Sequence, residues 1–263
     1  MTSRPAGVLL AVLALLPASA GTSAAALPRP LAVTAAPARL AFRGSGDATV
    51  RIRNSGMKRI TVDVAPAGFA LDLQGRPRIV PRRGARSAAA WLTLRPAHFA
   101  LGPHATARLV VSTRVPRRAT PGDHDALVLL TAHPPASGRV SVRLRLGVVV
   151  VVRAPGAVVR RLELGRLRVA RRGGKRALEL VVANAGNVTE RLRHVRVVVS
   201  RLPTRRRVTT VAAAVGVREL RPHTRGFLEF RLHTRARGLV SAQVIVPAES
   251  GRPALRRTFQ VRL

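Results

Sequence analysis

The chain of 263 residues contains no cysteine and no tyrosine. Without cysteine there is no disulfide framework, no thiolate zinc or iron–sulfur site and no thiol nucleophile. Aromatics make up only 3%, with Trp91 the sole tryptophan, so the stacking platforms of single-strand nucleic-acid binders are missing and nucleic acid is not an expected partner. Acidic side chains number 11 against 47 basic ones, leaving a formal charge of +36. A glycosidase needs two carboxylates about 5 to 10 Å apart, and the spacing of these few acids indicates no such pair. No Gly-x-Ser-x-Gly elbow, Gly-rich phosphate loop or dinucleotide fingerprint occurs. The chain therefore reads as no enzyme, with no catalytic residue, cofactor or metal site expected.

Lysine is also scarce, occurring only at Lys58 and Lys175, so the basic excess is arginine. At 47% hydrophobic the chain is too apolar for a disordered basic tail. Its arginines run from end to end and alternate with apolar residues, as in Val140-Ser141-Val142-Arg143-Leu144-Arg145-Leu146. Two readings stand. Arginine-biased codon usage would fill solvent-facing strand positions with this residue. Alternatively, a cationic surface rests on an anionic polymer.

The N-terminus reads as an export signal. Arg4 precedes the apolar run Val8–Leu16, followed by Pro17 and the small residues Ala18-Ser19-Ala20. That run is about half of the roughly 20 residues that span a bilayer. Cleavage is expected after Ala20, with Ala25 and Ala26 as alternatives. The other long apolar run, Leu146–Val152, suits a buried strand, so no transmembrane segment is expected in the mature chain.

Beyond residue 30 the dominant period is two. Ala48, Val50 and Ile52 alternate with Thr49, Arg51 and Arg53, and Phe259, Val261 and Leu263 flank Gln260 and Arg262. Short alternating runs ending in Gly, Pro, Asn or Asp predict antiparallel sandwiches with one wet face. Val208–Val217 is the best helical candidate, but its valines and Gly216 argue against it. The runs also repeat. Val50–Gly56 matches Leu180–Gly186, Phe99–His104 matches Glu219–His223, and Ala119–Gly122 matches Arg237-Gly238. A period near a hundred residues predicts two tandem immunoglobulin-like β-sandwich domains, 30–153 and 155–263, in an all-β protein. Their junction, Arg153-Ala154-Pro155-Gly156, is too short to let them swing freely.

Asn54-Ser55-Gly56 and Asn184-Ala185-Gly186 are expected to turn with positive φ, which Asn and Gly tolerate. Asn187-Val188-Thr189 fits a glycosylation sequon but is read as a turn. The extra length of the first half, Gly68–Trp91, predicts a hairpin plus an exposed loop. Asp123-His124-Asp125 has ligand residue types, yet adjacent residues on a strand point to opposite sides, so a turn leading into a strand fits better than a metal site. The candidate contact residues are Trp91 together with three basic loops: Arg82-Arg83, Arg171-Arg172 with Lys175-Arg176, and Arg205-Arg206-Arg207. Trp91 suits a core or interdomain anchor or a sugar platform. The loops suit solvated turns or guanidinium forks for phosphate.

Strand, Asn54-Ser55-Gly56, strand, then Leu94–Pro103 and a further strand resemble the first domain of PapD-type pilus chaperones. The combination of Ala90-Trp91-Leu92, the Pro96–Pro103 element, Val115-Pro116 and Pro121-Gly122-Asp123-His124 is more similar to the peptidoglycan-binding domain of WxL-interacting surface proteins. That resemblance implies a non-catalytic, exported cell-envelope module whose partner is an anionic cell-wall polymer, peptidoglycan or a surface protein. The alternative it implies is a chaperone-like assembly factor for a surface or pilus-type client, working through a sheet edge. The paired basic residues with which pilus chaperones anchor a subunit's C-terminus have no evident counterpart here.

Overall fold

The computed structural model describes residues 32–80, 86–133, 143–172, 174–247 and 253–263. The export signal expected at 1–20 and the candidate residues Arg82 and Arg83 lie outside these residues, as does the side chain of Arg172.

The alternating runs form two sandwiches. The first contains β1 (Val33–Ala36), β2 (Arg39–Arg43), β3 (Gly46–Asn54), β4 (Ile60–Leu71), β5 (Pro77–Val80), β6 (Leu92–Arg95), β7 (His98–Leu101), β8 (Thr106–Thr113), β9 (Gly122–His133) and β10 (Leu144–Ala154). One sheet has the order β1-β3-β8-β6. The facing sheet has the order β2-β10-β9-β4-β5, with β7 also pairing β4. The strand pairs are antiparallel except β2 with β10. Inward residues of both sheets make one core, including Val50, Ile52, Val62, Leu109, Val128, Leu130 and Val150. Each such side chain contributes about 1.5–3 kcal/mol on burial, which is what fixes the register.

The second sandwich contains β11 (Leu162–Arg172), β12 (Lys175–Asn184), β13 (Glu190–Arg191), β14 (Arg196–Arg201), β15 (Arg207–Ala212), β16 (Val215–Gly216), β17 (Glu219–Leu220), β18 (Arg225–Arg231), β19 (Leu239–Val246) and β20 (Leu255–Arg262). Its sheets run β11-β12-β18-β16 and β15-β14-β19-β20, with β13 and β17 as a separate pair. Leu178, Leu180, Val197, Val199, Phe230, Val240 and Val244 fill its core. Among the described residues the one helical element is the short 3₁₀ turn Ala89–Trp91. The segment 208–217 is extended, as its β-branched residues favour.

The internal repeat holds at the level of single hydrogen bonds. Buried Asn54 donates from Nδ2 to the carbonyls of Lys58 and Gly102, and its Oδ1 accepts the N–H of Gly56. Buried Asn184 donates to Val188 and Leu220 and accepts from Gly186. Neither pair adopts the positive φ expected from sequence; these asparagines act as clamps that close a loop onto the sandwich. Positive φ appears instead at His104 (55°) and His223 (57°). Each is the third residue of a turn closed by an N–H to carbonyl bond, Ala105 to Gly102 and Thr224 to Arg221, with proline at the second position. The glycines that open β9 and β19, Gly122 and Gly238, both have positive φ as well.

The extra length of the first sandwich is the expected hairpin. Strands β4 and β5 pair from Gly68 with Val80 to Leu71 with Pro77. Asp72 Oδ1 holds its tip by accepting the N–H groups of Gln74 and Arg76.

Candidate functional site

The outer face of the β2-β10-β9-β4 sheet carries the polar residues that sequence reading had placed in a turn. Alternation along β9 sends Ala126, Val128 and Leu130 into the core and Asp123 and Asp125 to the opposite face. His124 points inward, where its ring lies 4.4 Å from that of Trp91 at a 45° tilt. Its Nε2 contacts the Thr120 carbonyl at 2.8 Å and must be the donor, since a carbonyl only accepts. Burial lowers the His124 pKa, favouring this neutral form.

Asp123 is a keystone. Arg153 grips its two oxygens at 2.7 and 3.1 Å, and the Thr189 N–H, from the second sandwich, donates to Oδ2 at 2.8 Å. Burial pushes this carboxyl up, but the Arg153 and Thr189 hydrogen bonds outweigh it and hold the pKa below the usual value. Asp125 is also buried, with Arg221 Nη1 at 2.9 Å from Oδ2. Burial pushes it up to about 6 against the pull of Arg221, while the nearby Asp123 charge pushes the same way. The same burial lowers Arg221, whose guanidinium lies 3.5 Å from the centroid of the Phe69 ring. Around this pair, Arg39 bonds Glu219 and Arg86 Nη2 lies 3.1 Å from His223 Nε2.

Backbone contacts complete the junction. The Asp123 N–H donates to the Asn187 carbonyl at 2.8 Å, and the Phe227 N–H to the Leu73 carbonyl at the β4–β5 tip. Asn187 is no simple turn residue. Its amide donates to Pro121 and Ala157 and accepts the Val159 N–H, so the sequon asparagine is engaged on every side. A Cβ on Gly122 would stand 2.0 Å from the Asn187 carbonyl oxygen, which explains glycine there. Residues Leu31–Leu263 accordingly form one compact unit.

The same sheet also presents an open edge. Strand β2 pairs with Val149–Arg153 of β10, and among the described residues no strand pairs the outer edge of Leu144–Val148. Val149 donates its N–H toward β2, to the Ala38 carbonyl. By the two-residue period, Arg145 and Gly147 turn their main-chain groups to the same, open side. Leu144 and Leu146 alternate with them and pack partly buried against the first core.

The candidate contact residues do not form one site. Trp91 is half-buried against the first core. Arg171 pairs with Arg176 and Arg172 with Lys175 at the tip of the β11–β12 hairpin. Arg205, Arg206 and Arg207 are exposed at the separate turn between β14 and β15, with Arg205 at φ 54°. No group of three or more His, Asp or Glu among the described residues could hold a metal ion. Asp63, with His98 Nδ1 at 2.6 Å and His133 Nε2 at 2.8 Å, is a hydrogen-bonded trio. No helix among the described residues is long and apolar enough to cross a membrane.

No protein-family model and no curated protein matches the sequence. Solved structures do. The class 5 fimbriae chaperone CfaA shares 12% identity over 86% of this chain and 98% of its own, with a TM-score of 0.50. A chaperone in a chaperone–tip adhesin complex of CFA/I fimbriae biogenesis aligns at 11% identity over 86% and 98%, with a TM-score of 0.49. The Salmonella enterica SafA pilin–SafB chaperone complex aligns at 15% identity over 89% and 99%, with a TM-score of 0.48. The fold is thus that of two immunoglobulin-like sandwiches, similar to the fold of CfaA.

Proposed function

We propose that this chain is an exported, non-catalytic assembly factor that holds a surface-protein client by adding one of the client's strands to the open edge of β10. The domains are taken as 30–153 and 155–263 behind a cleaved leader, and the working location as outside the cytoplasmic membrane. The observation that carries the reading is the stretch Leu144–Val148, whose edge away from β9 has no partner strand among the described residues and where Arg145 and Gly147 offer main-chain donors and acceptors in strand spacing. The chaperone-like fold supports the same reading. The hydrogen-bonded polar junction supports it further, because an edge on a braced frame loses less entropy on pairing. The alternative, attachment to anionic wall polymer or peptidoglycan, draws on the arginine-rich hairpin tips and on the motif resemblance around Trp91.

The test is affinity capture of the mature protein from cell envelopes at low and high salt, beside its Arg145→Pro variant. Proline there removes only an outward N–H, so the sandwich should persist. A stoichiometric complex with one envelope protein that survives high salt and is lost in the variant is the expected result. Salt-sensitive adhesion to purified wall, unchanged by the variant, would favour the polymer instead.

A further inference from the structure

The β11–β12 hairpin and the segment following β18 flank an open cleft of about 820 Å³. Lys175, Arg176, His233, Arg235 and Arg237 line it, and none of its lining residues is acidic. Another cleft of this sandwich, about 630 Å³, differs in mixing arginines with Glu163 and the apolar side chains of Leu162 and Leu164. Elsewhere the acids neutralise arginines in pairs, as Glu179 does for Arg168, Glu229 for Arg231 and Glu190 for Arg160. Among the described residues no acid lines the basic cleft to do the same.

The cleft is also held in shape. Arg176 donates from Nη1 to the Ala236 carbonyl, and the Ala236 N–H donates to Thr234 Oγ1 at 3.1 Å. These bonds fix the segment that carries Arg235 and Arg237, both exposed and two residues apart. Lys175 is exposed across from them. Three exposed cations around the hydrogen-bonded Arg176 guanidinium repel one another, and a multiply charged anion relieves that repulsion while accepting charge-assisted hydrogen bonds. Lys175, Arg235 and Arg237 line the same cleft, so an anion with several charges engages more of them than a single charge can.

We propose that this cleft binds several phosphates at once, either linked in a soluble chain or clustered as the headgroups of a lipid surface. The proposal is independent of the strand-edge reading. Its test uses the full mature chain, titrated at low salt with tripolyphosphate, orthophosphate and phosphatidylglycerol vesicles. Saturable one-to-one binding of tripolyphosphate, tighter than orthophosphate and weakened by salt, is expected. Arg235→Gln with Arg237→Gln should weaken it about tenfold or more, and Lys175→Gln alone by a smaller factor. The control pair Arg51→Gln with Arg53→Gln, exposed on β3, removes the same charge and should leave affinity within about twofold. Melting curves establish that each variant is folded. Vesicle binding that disappears with the cleft variant identifies headgroups as a source, whereas vesicle binding that survives it assigns the cleft to soluble phosphate chains. Equal weakening by the control pair, equal affinity for orthophosphate, or no saturable binding would overturn the proposal.

Discussion

Asn54 and Asn184 illustrate how a local pattern can be located correctly and misread in mechanism. The Asn-x-Gly spacing marks where two strands end, yet each side chain bonds backbone carbonyls that are distant in sequence, up to 48 residues for Asn54. No local pattern carries such partners. Asn184→Ala would leave the Val188 and Leu220 carbonyls and the Gly186 N–H without that partner in a buried setting. A loss of about 2–4 kcal/mol is expected, seen as a lower urea midpoint at unchanged slope. Asp125 makes a prediction of the opposite kind. Its carboxyl is raised from 3.8 to about 6 by burial, so the folded chain binds a proton that the unfolded chain has released. This group's contribution is therefore full below about pH 3.8 and falls as pH rises toward about 6, by about 3 kcal/mol at most. Asp123, whose pKa is lowered, works the other way and loses its contribution as pH falls through its folded value. The two aspartates face each other's fields along with Arg39, Arg221 and Glu219, so the comparison must be differential. Asp125→Asn should flatten the fall in urea midpoint between about pH 4 and pH 6 relative to the unmodified chain, and an unaltered slope there would contradict the assignment.

At the scale of elements, alternation sufficed for most strands because one face of each is buried and a one-residue slip would invert it. The hairpin β4–β5 was legible instead from the extra length of the first half and the turn residues Asp72 and Gln74-Gly75 within it. Its docking was not, since the contact joins Leu73 to Phe227 across the two halves of the repeat, and nothing periodic announces it. Gly75 is the residue at which this docking is most sensitive. It sits at φ +81°, and a Cβ there would lie 3.4 Å from the Val217 side chain. Gly75→Ala should therefore strain the tip by about 1–2 kcal/mol. The Phe227 amide, whose acceptor is the Leu73 carbonyl, is the reporter. Its hydrogen exchange should quicken while the amides that pair β14 with β19 keep their protection.

At the scale of the molecule, the chain must hold two sandwiches together while carrying a charge of +36. Self-repulsion of that size favours separation, and four of the 11 acids counter it near the junction: Asp123, Asp125, Glu190 and Glu219. Composition made the charge plain, but not this placement, because Asp123-His124-Asp125 looks like any polar turn until β9 is laid across a second domain. Asp123 is hydrogen-bonded on both sides, to Arg153 in the first sandwich and to the Thr189 N–H in the second. Asp123→Ala would leave the part-buried Thr189 amide without this acceptor and a partly exposed guanidinium without its anion. The expected cost is about 2–4 kcal/mol, below that of a fully buried pair because Arg153 remains partly solvated. The cost should fall on the junction and not on either core, whose apolar residues are untouched. Calorimetry should then resolve one cooperative transition of the unmodified chain into two, with the separation widening at low ionic strength as unscreened repulsion between the sandwiches grows. A single transition shifted intact to lower temperature would instead mean that the cores, through shared packing, couple the halves without this carboxylate.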